Sequence, residues 1–521
     1  MLPGASSGRK AVIMKRFALL PVIALIVSAA AWIGCGRTST GHTPDASPSG
    51  TFKIALTNTR QLDMVFMIDN SGMAPKVEKM SAQFPKMIAA LKDPSDGTLP
   101  DLRIALIDSD LGTGGGWGNY CGPSGSNGNS VYGDQGKFLM PNRQACGVTD
   151  PEALYLETQG NTGLNFISDI NTVFACLAGG FGTSGCGYEH QLQAFEFALV
   201  AGGLGNDRQH AMIRPNALLA LVFITDEDDC SAAQSDRMFV IQPDLAGESA
   251  SLRCATRAHQ CNGVNLTTAP PGYPTTAAFT APLAACAART DACPIGTDTL
   301  GPTACSPLKD TKDLANEIKG LKADPDNQVV VAGIFGWPLS DADLATATYK
   351  IAPVPNPNTA DTEHPTVFDL WPACYEPNHN PASSTGFDGS AWGWAAMPGL
   401  RLSAFVDEFG PNGLKFSICE TDFTSTMGQI GAKLAKQVSP RCLSPRFATY
   451  KSCTAHIAVP NAEGGFTVQA DAIPSCEASP STADCYTLVP DAPPCATGEF
   501  LVQTPSTPAL PSGSVLEFTC R

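Results

Sequence analysis

The stretch Leu62-Asp63-Met64-Val65-Phe66-Met67-Ile68-Asp69-Asn70-Ser71-Gly72 constrains the fold of this 521-residue chain more than any other. Met64 to Ile68 is an unbroken apolar run, too short for a helix and without the alternation of a half-buried strand. It therefore predicts a strand covered on both faces. Asp69, Asn70, Ser71 and Gly72 follow at once. From near Pro75, the residues Val77, Met80, Phe84, Met87, Ile88 and Leu91 then recur at helical spacing. A buried strand, an oxygen-rich turn and a helix make the opening unit of an α/β sheet. In such sheets ligands sit beyond the carboxyl ends of the strands, where Asp69 and Ser71 fall. A carboxylate and a hydroxyl two residues apart can both face a hard cation such as Mg²⁺ or Ca²⁺.

The same pattern returns along the chain. Leu102 to Ile107 reads as a second strand, ending in Asp108-Ser109-Asp110. Ala217 to Ile224 is the most hydrophobic strand, and Thr225-Asp226-Glu227-Asp228-Asp229-Cys230 follows it directly. Gln328 to Phe335 and Leu414 to Ile418 are further buried strands. Helical spacing predicts helices over 165–178, 188–201, 310–321, 400–409 and 423–438. Strands and helices that alternate from 62 to 440 predict an α/β fold built on a doubly wound, mostly parallel sheet. Three cysteine-bearing or proline-rich insertions, near 112–150, 230–308 and 338–400, interrupt it. Acidic runs are ordinarily solvated loops, but Asp226 stands immediately after a buried central strand, where ligands bind. Gly182 to His190 reads as a glycine-rich turn leading into a helix.

The region 441–521 changes character, with six cysteines, many prolines and short β-prone runs such as Gly465 to Val468 and Phe500 to Gln503. It reads as a small disulfide-bonded β appendage. Ahead of the sheet, 36–61 reads as a flexible tether with a lead-in edge strand near Phe52 to Leu56. Residues 1–35 read as an export signal: Lys15 and Arg16, an apolar run from Phe17 to Gly34, then Cys35. The chain has 19 cysteines. Setting Cys35 aside leaves 18, enough for nine disulfides, a density that fits an oxidising compartment. No close Cys-x-x-Cys pair offers a zinc site instead. A net charge of −16 excludes the basic footprint of a nucleic-acid partner.

Asp69-Asn70-Ser71-Gly72-Met73 resembles the opening of the metal-ion-dependent adhesion site of von Willebrand factor type A domains, Asp-x-Ser-x-Ser. Met73 replaces the second serine, and a thioether is a poor ligand for a hard cation. The resemblance implies a type A (Rossmann-like) fold. It further implies Mg²⁺ or Ca²⁺ held by Asp69, Ser71 and Asp226, with Thr183 and Glu189 as further candidates in the glycine-rich turn. The open coordination position would accept an acidic side chain of a protein or other envelope ligand. Trp32-Ile33-Gly34-Cys35 resembles the lipobox of bacterial lipoproteins, which implies lipidation of Cys35 and membrane attachment through that lipid. Gly36 after it implies an outer-membrane destination. The layout as a whole is similar to cysteine-rich type A lipoproteins of Gram-negative bacteria. The function so implied is a non-catalytic, cell-envelope module for protein binding, adhesion or assembly.

Two alternatives stand beside it. An extracytoplasmic hydrolase could use the strand-end carboxylates. No Gly-x-Ser-x-Gly elbow follows any of the expected strands and there is no His-Glu-x-x-His helix, and of its seven histidines only His190 falls near the expected cleft. A purely structural, disulfide-hardened envelope protein would have no metal and no discrete partner.

Overall fold

A seven-stranded sheet runs through the middle of the protein. In the computed structural model its elements, in chain order after a separate strand β1 (Gly50–Ala55), are β2 (Gln61–Ile68), α1 (Ala74–Leu91), β3 (Asp101–Asp108), β4 (Leu156–Gln159), β5 (Thr162–Gly163), α2 (Ile170–Ala178), α3 (Gln191–Leu199), β6 (Leu218–Ile224), α4 (Thr311–Lys319), β7 (Val329–Phe335), α5 (Leu400–Asp407), β8 (Gly413–Ser417) and α6 (Thr424–Val438). The structure describes residues from Gly50 onward apart from a set of loop stretches, the longest being 114–132, 240–248, 267–283, 295–304 and 504–513. The expected export signal with Cys35, the greater part of the tether, and Thr183 lie outside the described residues.

The strand order is β8-β7-β6-β2-β3-β4-β5. The pairs from β8 to β3 are parallel, and β4 joins β3 antiparallel. The sheet is thus mixed but mostly parallel. Its central strands are buried along their length, as their unbroken apolar runs require. Alternate residues of β2 feed two separate cores. Leu62, Met64, Phe66 and Ile68 pack with the apolar stripes of α1, α2 and α6. Val65 and Met67 turn the other way, toward α3, α4 and α5. Phe66, Phe84 of α1 and Phe174 of α2 meet as a ring cluster, with the last two stacked at 3.8 Å.

Parallel registry brings the strand ends level. Ile68 pairs with both Asp108 and Ile224, the Asp69 amide donates to Ile224 O at 3.1 Å, and the Thr225 amide donates to Ile334 O at 3.1 Å. The polar turns after β2, β3 and β6 therefore open at one edge of the sheet.

Three expectations change. The helix expected over 165–178 begins only at Ile170, where Asp169 caps it by accepting from the Asn171 amide. The residues before it stay out of the helix because Asn165 ties the β4–β5 hairpin, accepting from Glu157 N and donating to Tyr155 O. The lead-in strand does not join the main sheet: β1 pairs antiparallel with Val515–Cys520, beside Cys453–Pro460 and Phe466–Ile473. The appendage thus builds its own core around Ile457, Leu516 and Phe518, to which Phe52 of β1 contributes. The chain from Pro48 to Arg521 forms one compact unit. The insertion from Cys230 also holds a helix, Ala250–Ala258, capped by Ser249.

Seven disulfides join described cysteines. Cys230–Cys254, Cys261–Cys286 and Cys293–Cys305 staple the middle insertion from within. Cys146 is tied to Cys176 of α2 rather than within its own loop. Cys374–Cys419 clips the third insertion to the chain just after β8, and Cys453–Cys520 and Cys476–Cys485 lie in the appendage.

Candidate functional site

The turn after β2 is shaped by Asp69 and Gly72. Asp69 Oδ1 accepts from the Ser71 amide at 2.7 Å and the Ser71 hydroxyl at 2.8 Å, and its Oδ2 accepts from the Thr225 hydroxyl at 2.7 Å. Gly72 has φ +72°, a conformation that side-chain-bearing residues rarely adopt. Met73, where the adhesion motif has serine, is buried among the core residues under α1. Its thioether is packing rather than a ligand donor.

The acidic run after β6 divides its work residue by residue. Thr225 is buried and also accepts from Gln191 Nε2 at 2.9 Å. Asp226 and Glu227 line a pocket of about 150 Å³ together with Ser71, Gly72, Ala395, Ala396 and Met397. Asp228 turns away: it accepts from the Arg401 and Leu402 amides at the start of α5 and touches His259 Nε2 at 2.6 Å. Asp229 is fully buried and paired with Arg401 at 2.9 Å. Two of the four acids are thus structural, and the solvated-loop expectation for the run does not hold.

Glu189, a candidate from the glycine-rich turn, lies in the same cluster. It is 1% exposed; one oxygen takes the Ser109 hydroxyl and Oε1 has no hydrogen-bond partner. Burial, then the charges of Asp69 and Glu227, push its carboxyl well above the usual range. Burial and the Asp226 charge raise Asp69 to about 7. Glu227 is raised well above its ordinary value by burial and then by Asp226 and Asp69. Each shift has the same origin: carboxylates brought together away from water with too little positive charge to balance them.

One cation does reach them. Lys76 Nζ lies 3.2 Å from Asp226 Oδ2 and donates to Ala395 O at 2.8 Å. The third insertion holds that carbonyl over the strand ends. Cys374–Tyr375 pairs with Ala395–Ala396, the Met397 amide donates to Asp226 O at 2.7 Å, and Lys79 pairs with Glu376. Close packing on the opposite side involves Gly185: a Cβ there would lie 1.9 Å from Asn70 Oδ1, and its amide donates to Asn70 O at 2.9 Å.

The structure thus brings together Asp69, Ser71, Asp226 and Glu189 from the sequence candidates and adds Thr225, Glu227, Gln191 and Lys76. The oxygens of this set are the hard donors that Mg²⁺ or Ca²⁺ prefers, and the free Glu189 Oε1 and the raised carboxyls fit a missing positive charge. Among the described residues no three His, Cys, Asp or Glu side chains already stand as a metal cage. His190, the histidine of the hydrolase alternative, is completely buried. Burial depresses it to about 4. Lys76 is not among the sequence candidates although it carries a signal: a cation in the first turn of a helix that has no acidic residue there.

No family model and no curated protein sequence matches this chain. Among solved structures, the pilus adhesin SpaC from Lactobacillus rhamnosus GG, in its open conformation, aligns with 91% of this chain and 41% of that chain, at a TM-score of 0.27 and 10% identity. The pilus adhesin RrgA from Streptococcus pneumoniae aligns with 91% of this chain and 58% of that one, at a TM-score of 0.19 and 12% identity. This chain spans less than two thirds of either neighbour. Scores of this size determine neither its fold family nor its function.

Proposed function

We propose that this protein is a non-catalytic binding module of the cell envelope, serving adhesion or assembly, and that the cluster at the carboxyl ends of β2 and β6 is its cation-holding site. The observation that carries this reading is the set of clustered carboxylates, Asp69 and Glu189 buried and Asp226 and Glu227 half-buried at the pocket, with one oxygen of Glu189 unsatisfied among the described residues. Mg²⁺ or Ca²⁺ would be held by Asp69, Ser71 and Asp226, with Glu189 behind them; Thr183 remains a further candidate. A bound divalent ion would present a positive point to an acidic side chain of a partner. The mostly parallel sheet with helices on both faces supports a doubly wound, type A arrangement. The seven disulfides support an oxidising compartment. Lipidation at Cys35 would tether the module to a membrane, in this reading the outer membrane. Among the described residues no helix is long and apolar enough to cross one.

Calorimetric titration of the exported protein with Mg²⁺, Ca²⁺ and Mn²⁺, beside Asp69→Ala, tests this. Saturable binding lost in the variant, with the variant still folded, is the expected outcome. Binding that survives Asp69→Ala in full would remove Asp69 from the site, and no binding in either protein would refute the cation reading.

A further inference from the structure

We infer that Lys76 is the site's built-in counter-cation, an ammonium that occupies Asp226 until a divalent ion displaces it, so that Lys76 sets the cation affinity of the module. The inference rests on the cation-site reading above and adds its regulation.

Local physics argues against a lysine at this place. Lys76 is the third residue of α1, where the helix dipole already presents positive charge, and a cation there is disfavoured. The first turn offers no acid, and Met73 gives no side-chain cap. Lys76 is also only 4% exposed, and a buried ammonium is costly unless it is paired. Its partners come from far along the chain: Asp226 at 3.2 Å and Ala395 O at 2.8 Å, 150 and 319 residues away. The lysine is therefore held by the acidic cluster and not by its own helix.

The compensation is incomplete. Among the described residues Asp69, Glu189 and Glu227 have no lysine or arginine partner, so one ammonium serves four carboxylates, and Glu189 Oε1 stays unsatisfied. A divalent ion brings twice the charge and can accept several oxygens at once. Lys76 has a flexible stem and sits beside exposed Ala74 and Pro75 at the helix start, so it can leave toward solvent. What it releases stays in place, because Ala395 is fastened by the Cys374–Tyr375 pairing, by the Cys374–Cys419 bridge and by the hydrogen bond from the Met397 amide to Asp226 O. The exchange is confined to one side chain.

Two measurements on the full exported protein decide the matter. In amine-acylation footprinting read by mass spectrometry, Lys76 is protected without added metal and gains labelling several-fold at saturating Mn²⁺ or Ca²⁺. Lys322, buried and donating to Arg214 O at the far end of the sheet, stays unchanged as the internal control. In calorimetry Lys76→Met binds the same ion at least about tenfold more tightly, because the apparent affinity no longer carries the cost of the closed state. Lys76→Arg, which keeps the charge, does not. If wild type binds the ion while Lys76 labelling stays flat and Lys76→Met binds no tighter, the counter-cation inference fails and the cation site stands. If neither wild type nor folded Lys76→Met binds any of the ions, both fail. Should Lys76→Met not fold, the wild-type footprint alone decides.

Discussion

Asp229→Ala tests what positions the loop that carries Asp226. Asp229 Oδ2 accepts from Arg401 Nε at 3.0 Å and Nη2 at 2.9 Å, and also from Ser231 N at 3.1 Å. Its Oδ1 accepts from Leu192 N at 3.0 Å and from the Ser231 hydroxyl. The pair is buried at both ends, with side-chain exposures of 1% and 0%. Removing the acid strands a guanidinium that, among the described residues, keeps only Lys309 O as an acceptor. Breaking a buried pair from one side costs about 3–5 kcal/mol, because the survivor is charged and unsolvated. A domain of ordinary stability has about 5–15 kcal/mol in total, so the loss should be plain in urea unfolding of the oxidised protein at neutral pH. Arg401→Met should cost less, since Asp229 retains Leu192 and Ser231 as donors. The double variant should be more stable than the sum of the two losses allows, by about 0.5–3 kcal/mol. An Asp229→Ala protein within about 1 kcal/mol of wild type, or strictly additive losses, would refute the claim that this pair anchors the loop.

Two further tests address the same architecture. Asp369, on the strand Thr366–Leu370, is raised to about 7 by burial, against the opposing hydrogen bonds of Ser249 and Leu370. Between about pH 4 and 7 the folded protein holds a proton there that the unfolded chain has released, so wild-type stability falls as pH rises through that window. Asp369→Asn should lack the Asp369 share of this slope, leaving that of Asp69, Glu189 and Glu227, and be more stable at pH 8 by up to about 4 kcal/mol; parallel stability curves from pH 4 to 8 would contradict the assignment. Non-reducing mass spectrometry of the exported protein should find no free thiol among the 18 cysteines after Cys35, and several free thiols would overturn the oxidising-compartment argument.

Much of the core was legible because the forces that set it are local. Steric and burial preferences act over a few residues, so the run Met64 to Ile68, the stripe from Val77 to Leu91 and the polar residues after Ile224 announced strand, helix and strand end without reference to anything distant. The start of α2 is not legible for the converse reason: Asn165 is committed to Glu157 and Tyr155, a tie between residues that helical periodicity does not register. The acidic run at Asp226 showed the same limit. Four adjacent acids look alike in sequence, yet Asp229 belongs to Arg401, Asp228 to the head of α5, and only Asp226 and Glu227 face the pocket.

Neighbours along the chain set the repeating units of the sheet, the Asp69–Ser71 turn and the cysteine-rich character of the insertions, so these can be read from the sequence. Tertiary structure alone decided which residues share the site. Parallel registry levels the ends of β2 and β6, the disulfide-clipped third insertion lays Ala395 over them, and a lysine misplaced by every local rule finds its partner 150 residues away. Charge balance in a buried cluster is a sum over groups gathered by folding, and no window of sequence contains that sum.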